Sequence, residues 1–161
     1  LKRMNNIKKG EVGMDKYIFR GFNSYSRKWR LGDLVHKRHK QLIITEADNY
    51  DARIASLQML EVEEKSIGQF TGLHDSKGFD IYEGDIIEDA KINHRFFVYY
   101  DNEEAKFKGM TPEGISTGER ERYMYSFGIN QEWLTKYPKV IIGNMFENPE
   151  LLCIGVRCEA E

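Results

Sequence analysis

Cysteine is scarce in this chain, with two among 161 residues, and both stand close together near the end as Cys153 and Cys158. On a strand that spacing sends the side chains to opposite faces, so a bridge needs a turn, and the pair reads as reduced thiols. His36, His39, His74 and His94 have no companion Cys or His at the spacing of a closed zinc site. No run approaches the roughly 18 apolar residues of a membrane-spanning helix, and the first residues lack the apolar core of a signal peptide. A cytoplasmic protein with no membrane partner is the expectation. A charge excess of one sign is missing too. The 24 Lys+Arg and 26 Asp+Glu leave a formal charge of -2, without the basic surplus of a whole-surface nucleic-acid binder. Gly-rich phosphate loops, nucleophile elbows and His-Glu metal helices are absent as well. The length suits one domain with a real core.

Residues 1–13 are basic and aperiodic, a flexible arm with Lys2, Arg3, Lys8 and Lys9 as a weak anion-attracting tail. Lys9-Gly10-Glu11 can also be encoded by a purine-rich ribosome-binding sequence ahead of Met14, which makes a start at Met14 the second reading. Without the arm, four cations and one acid are lost and the formal charge moves from -2 to -5. The expected organisation is arm 1–13, domain 14–152 and tail 153–161.

From Met14 onward the pattern is short, alternating and aromatic, broken by turn residues every eight to twelve positions, as in all-β domains. Strands are expected over 17–22, 29–35, 41–45, 66–71, 95–100, 105–110, 123–127 and 140–146. Residues 46–55 fit a short helix or an irregular loop equally well. Residues 56–62 favour strand over helix, and 63–65 read as a charged turn. Asp75-Ser76-Lys77-Gly78 is a hairpin tip, and a second hairpin turns at residues 101–104. Residues 111–122 suit an exposed loop. A short helix is expected over 130–136, capped by Asn130 and stopped before Pro138.

One internal echo stands out. Trp29-x-x-Gly32-Asp33-Leu34-Val35 and Ile81-Tyr82-Glu83-Gly84-Asp85-Ile86-Ile87 each place an aromatic residue, Gly-Asp and two branched apolar residues in order. The Gly permits a bend before a strand, the Asp caps amides in that bend, and the apolar pair enters the core. Two unrelated β-turns and a duplicated half-domain both fit.

The second copy sits in a longer string, Ile67-Gly68-Gln69-Phe70-Thr71-Gly72-Leu73-x-Asp75-x-x-Gly78-x-x-Ile81-Tyr82-Glu83-Gly84-Asp85-Ile86-Ile87. It resembles the central signature of the YopX-like family of phage and prophage proteins. Val140-Ile141-Ile142-Gly143-Asn144-Met145-Phe146-Glu147-Asn148-Pro149-Glu150-Leu151-Leu152 is similar to that family's closing motif. Phe19-Arg20-Gly21-Phe22 with Trp29-Arg30-Leu31-Gly32-Asp33-Leu34 is similar to its opening. The resemblance spans about Met14 to Leu152, except residues 91–137, where no motif transfers. It implies a mainly β fold of twisted antiparallel sheets, with a partly open SH3-like barrel portion, one or two short helices and a phage or prophage origin. It implies no activity and no ligand residues. The signature positions Gly32, Asp33, Gly68, Gln69, Thr71, Gly72, Gly78, Tyr82, Gly84, Asp85, Gly143, Asn144, Asn148 and Pro149 are therefore structural expectations.

Three chemistries can be weighed. His74, Asp75, Asp80, Glu83 and Asp85 are a weak candidate set for a divalent cation or an acid/base pair. Against it, Asp75 and Asp85 are better used closing their own turns, and Glu83 is solvated in a bend. No metal or cofactor is expected. Arg20, Lys28, Trp29, Arg30, Arg95 and Phe96 pair rings with cations, as single-stranded nucleic acid requires. The competing reading fills a core with the rings and points the cations outward. Third, strand-rich chains expose sheet edges, and 140–146 or 96–100 could pair with a partner or a second copy. The expectation is a non-catalytic protein-interaction or self-associating module. Single-strand nucleic-acid binding is the alternative, and a metal-dependent enzyme the distant one.

Overall fold

Among the described residues, five connections open on an Asp or Asn whose side chain takes up amides that the turn leaves free. Asn23 Oδ1 accepts from the Ser26 amide at 2.8 Å, and Asp75 Oδ1 accepts from Lys77 and Phe79 at 2.8 and 2.9 Å. Asp89 serves Lys91, Asp101 serves Glu103 and Glu104, and Asn144 serves Phe146 and Glu147. Such Asx closures compete with continued strand and so define where each strand stops. The computed structural model describes residues 18–46, 57–112 and 126–152. The expectations for arm 1–13 and the Met14 start, for residues 47–55, for most of 111–122 and for tail 153–161 lie outside the described residues.

The strands are β1 (Phe19–Asn23), β2 (Lys28–Lys37), β3 (Lys40–Glu46), β4 (Leu57–Val62), β5 (Gly68–His74), β6 (Asp80–Tyr82), β7 (Asp85–Asp89), β8 (His94–Asp101), β9 (Lys106–Met110), β10 (Ser126–Gly128) and β11 (Lys139–Asn144). The helix α1 (Gln131–Lys136) starts at Asn130, whose Oδ1 accepts from the Trp133 amide at 2.9 Å. Two antiparallel sheets result, ordered β4-β3-β2-β1-β5-β6 and β10-β9-β8-β7-β11. The mainly β architecture matches the expected one. The last strand ends at Asn144 rather than Phe146, because the Asn144 side chain turns the chain there. Residues 63–65 are not a simple turn. Glu64–Ser66 forms one turn of 3-10 helix, and Ser66 Oγ accepts from the Phe22 amide at 2.7 Å.

The first sheet curls on itself. Strand β2 pairs with β1 up to Gly32 and with β3 from Asp33 onward, so one long strand serves two sheet portions and bends between them. Gly32 makes the bend: its φ is +155°, and a Cβ there would lie 1.8 Å from the Ile44 carbonyl oxygen. The far end of β4 returns to β1. Glu63 donates to the Phe22 carbonyl at 2.9 Å, and Asn23 Nδ2 to the Glu61 carbonyl at 2.6 Å. The first sheet is drawn together at that end, while β4 is its last strand along Leu57–Leu60.

The second sheet is covered on both faces. Ile87, Phe96 and Val98 pack with Ile81 and with Leu134 of α1 on one side. Ile86, Phe97 and Met110 pack with Leu152, from the 3-10 turn Pro149–Leu152, on the other. This is why residues 86–87 and 96–98 are continuous apolar runs rather than alternating ones.

Candidate functional site

The three signature stretches converge on one largely buried guanidinium. Arg20 of β1 meets Asp85 at the head of β7, with Nη1 2.5 Å from Oδ1, and its Nη2 donates to the Glu83 carbonyl at 3.2 Å. Its plane lies between the rings of Trp29 and Tyr82, 4.9 and 5.1 Å from their centroids. The other Asp85 oxygen accepts from the Tyr82 amide at 2.8 Å. Gly68 lets the chain pass, since a Cβ there would sit 2.2 Å from the Glu83 oxygen. Trp29 in turn packs on Phe22 and Phe146 and donates from Nε1 to Glu147 at 2.9 Å. One cation thus ties the first sheet to the second and to the closing loop. Burial pushes the Asp85 carboxyl up to about 6, with Arg20 and the Tyr82 amide drawing it partly back. Burial likewise pushes the Tyr82 phenol up to about 12, with Asp80 adding to it. These are the energetics of a latch that excludes water.

The five acidic-hairpin candidates are spread rather than gathered. His74 and Asp80 form a surface pair, Nε2 to Oδ1 3.1 Å. Asp75 is buried and spends both oxygens on amides, those of its own turn and that of Ile141 at 3.2 Å. Glu83 accepts from the Tyr100 amide at 3.2 Å. Among the described residues no three His, Cys, Asp or Glu side chains converge as a metal would need. A separate buried charge, Lys139, is fully satisfied. It pairs with Asp89 at 3.1 Å, donates to the Trp133 and Tyr137 carbonyls, and sits 3.9 Å over the Trp133 ring. Burial pushes the Asp89 carboxyl up, but the bonds from Lys139 and the Lys91 and Ile92 amides outweigh it and hold it below the usual range.

The ring-and-cation set does not form one surface. Arg20 and Trp29 belong to the latch. Lys28 is exposed and Arg30 half-buried on the neighbouring part of β2. Arg95 sits on the other sheet, paired with Glu88 at 3.2 Å. Phe96 lies in the core at 3% exposure, out of reach of a base.

Of the two edges expected to pair, one is interior and the other is partly taken up by residues 75–76. Residues 96–100 lie in β8, between β7 and β9. Residues 140–144 lie in β11 at the end of its sheet, but Ile141 donates to Asp75, and the Lys139 carbonyl accepts from Ser76 at 2.9 Å. Among the described residues, β4 ends the first sheet with no strand beyond it. Antiparallel partners share a face, which groups Val35 and Leu42, Ile44 and Met59, and Leu57 on the outer side of β2-β3-β4. Leu57 and Met59 are 72% and 61% exposed. Its one charge, Glu61, is matched by Lys40 at 2.5 Å. Residues 56–62 were legible as a strand. That β4 ends the sheet depends on long-range pairing that no local pattern carries.

A protein-family model, described as "YopX protein", matches residues 18–153. No curated protein matches the chain. Solved structures do, among them "Crystal structure of protein EF1440 from Enterococcus faecalis", at 18% identity and a TM-score of 0.47, covering 84% of this chain and 96% of that one.

Proposed function

This chain belongs to the YopX protein family, and we propose that it works without catalysis, as a self-associating module that adds a second copy of itself at strand β4. The observation that carries the reading is the open edge itself. A six-residue edge strand with no Lys, Pro or bulge, with Leu57 and Met59 facing out and its one charge, Glu61, paired to Lys40, is weakly blunted among the described residues. Exposed apolar groups of this kind mark interaction sites. A copy of the same strand is a fitting partner, because β4 has no unmatched charge to repel it. The strand order of the first five strands, with a 3-10 turn before the fifth, supports an SH3-like barrel, a scaffold that hosts binding more than one chemistry. A phage or prophage setting inside a bacterial cytoplasm is part of the same reading.

The gain is modest. Two buried side chains contribute about 1.5–3 kcal/mol each, and association costs several kcal/mol, so the ladder and the flanking Val35, Leu42 and Ile44 are needed for a dimer of micromolar order. Light scattering between about 10 and 500 μM, spanning that range, tests it. The wild-type mass should rise from monomer toward dimer, and Met59→Lys should stay monomeric with an unchanged melting temperature. A wild-type monomer throughout, or equal dimerisation of Met59→Lys, refutes it.

A further inference from the structure

A second feature lies at the tip of the β2–β3 hairpin, at the opposite end of β3 from Leu57. His36-Lys37-Arg38-His39-Lys40 are all exposed, and among the described residues only Lys40 of the five makes an ion pair, with Glu61. Lys37, Arg38 and Lys40 against Glu61 leave two positive charges there, in a chain whose whole formal charge is -2. The tip also stands clear of its neighbours. Strand β1 pairs with β2 only as far as Gly32, and β4 reaches along β3 only to Gln41, opposite Val62. No described strand flanks residues 37–40, so none screens these charges.

Two local rules are broken at this tip, and each breach brings in a cation. Lys37 stands directly opposite Lys40, where like charges repel across the ladder. The two-residue loop between them is Arg38-His39, and Arg38 holds a φ of 55°, a conformation that such loops ordinarily give to Gly, Asn or Asp. A lysine at a strand end is an ordinary guard against sheet addition and accounts for Lys37. It accounts neither for the opposing Lys40 nor for an arginine at a positive φ. A dense polyanion accounts for all three, because it relieves their repulsion and uses every charge. Protein interfaces centre on aromatic or aliphatic anchors and deplete lysine, and residues 36–40 hold no such anchor. Single strands need rings on which bases stack, and Phe, Tyr and Trp are missing from the tip as well. Duplex phosphates need only cations and donors.

We propose that the β2–β3 tip binds duplex DNA through its backbone phosphates, without regard to sequence, with Lys37, Arg38 and Lys40 as the contacts. A two-stranded ribbon fits the major groove, but β4 widens the sheet from Gln41 back, so the tip alone reaches the duplex and bases are not read. Three phosphate contacts make a weak site whose affinity falls with salt. The site goes beyond the β4 contact and does not depend on it, so either can fail alone.

The test is fluorescence anisotropy of a labelled, mixed-sequence duplex of about 20 base pairs, titrated with the full chain at salt from about 20 to 200 mM. Lys2, Arg3, Lys8 and Lys9 also carry charge, so each variant is read as its difference from wild type. Arg38→Asn should bind about fivefold more weakly at low salt, and its slope of log affinity against log salt should be shallower by about 1. Asn suits the positive φ, so the melting temperature should not fall and unfolding cannot mimic the loss. Lys37→Gln should lose as much. Glu61→Gln, which frees Lys40, should bind about twofold more tightly. Lys28→Gln, at the far end of β2, should bind as wild type does. Light scattering of Arg38→Asn should match wild type, which separates this site from the β4 contact. No anisotropy change below ~1 mM chain at low salt, wild-type slopes in both Arg38→Asn and Lys37→Gln, or an equal loss in Lys28→Gln overturns the proposal. Tighter binding of oligo-dT than of the duplex, or stronger competition by polyglutamate than by unlabelled duplex, overturns it as well.

Discussion

Two strands carry nearly the same sequence signal and meet opposite fates. Residues 42–44 of β3 and 96–98 of β8 are both unbroken apolar triplets. All three residues of the β8 triplet are buried, one face under α1 and the other under the 3-10 turn Pro149–Leu152. In β3 only Ile43 is buried, on the inner face of the first sheet, while Leu42 and Ile44 look outward toward the Leu57 and Met59 side. An apolar triplet therefore announces that both faces want cover. It does not say whether the same chain supplies it, and where it does not, a surface for a partner is left.

Matched substitutions sharpen this contrast. Ile87→Ala should cost about 4 kcal/mol in urea unfolding, by lost burial and a cavity, whereas Ile44→Ala should cost about 1 kcal/mol. Similar losses would mean that the outer face of the first sheet is covered after all. The junction between the two regions comes next. Arg20→Ala strands Asp85 among buried neighbours and should cost about 3 kcal/mol.

The raised Asp85 carboxyl sets a pH signature. Between its ordinary value near 4 and about 6 the folded state holds the proton and the unfolded state releases it. Stability from this group is therefore complete below pH 4 and is lost as pH rises through 6. The loss is on the order of 2–3 kcal/mol, and the slope should vanish in Asp85→Asn. An identical pH slope in that variant would place the titration elsewhere.

Gly32→Ala drives a methyl into the Ile44 carbonyl and should lower stability by about 2–3 kcal/mol, measurable by thermal melting. Arg38, held at a φ of 55° in the β2–β3 turn, is the smallest case. Arg38→Asn should raise the melting temperature by about 1–2 °C, about 0.5 kcal/mol.

Much of the fold is legible before any coordinates. The turn Asp and Asn residues, the Asn130 cap and the alternating aromatics each act locally, so the pattern carries them. The Gly-Asp echo is legible as a repeat but not as two functions. At Gly84-Asp85 the Asp caps Tyr82 and Ile86 and Ile87 are fully buried, whereas Gly32-Asp33 is a bend inside one strand with Asp33 exposed. Arg20 and Trp29 look like a nucleic-acid pair in one dimension, because their partners Tyr82, Asp85 and Glu147 lie 62 to 118 positions on. The free edge is hidden for the same reason: it is a property of sheet order.

Dilution of an isotopically labelled sample from about 500 to 20 μM, around the micromolar range expected of the contact, tests the role of β4 most directly. Amide resonances should move at Gln58, Met59 and Leu60 and stay fixed at Phe96, Phe97 and Val98. Invariant spectra, or changes centred on β11, would contradict it.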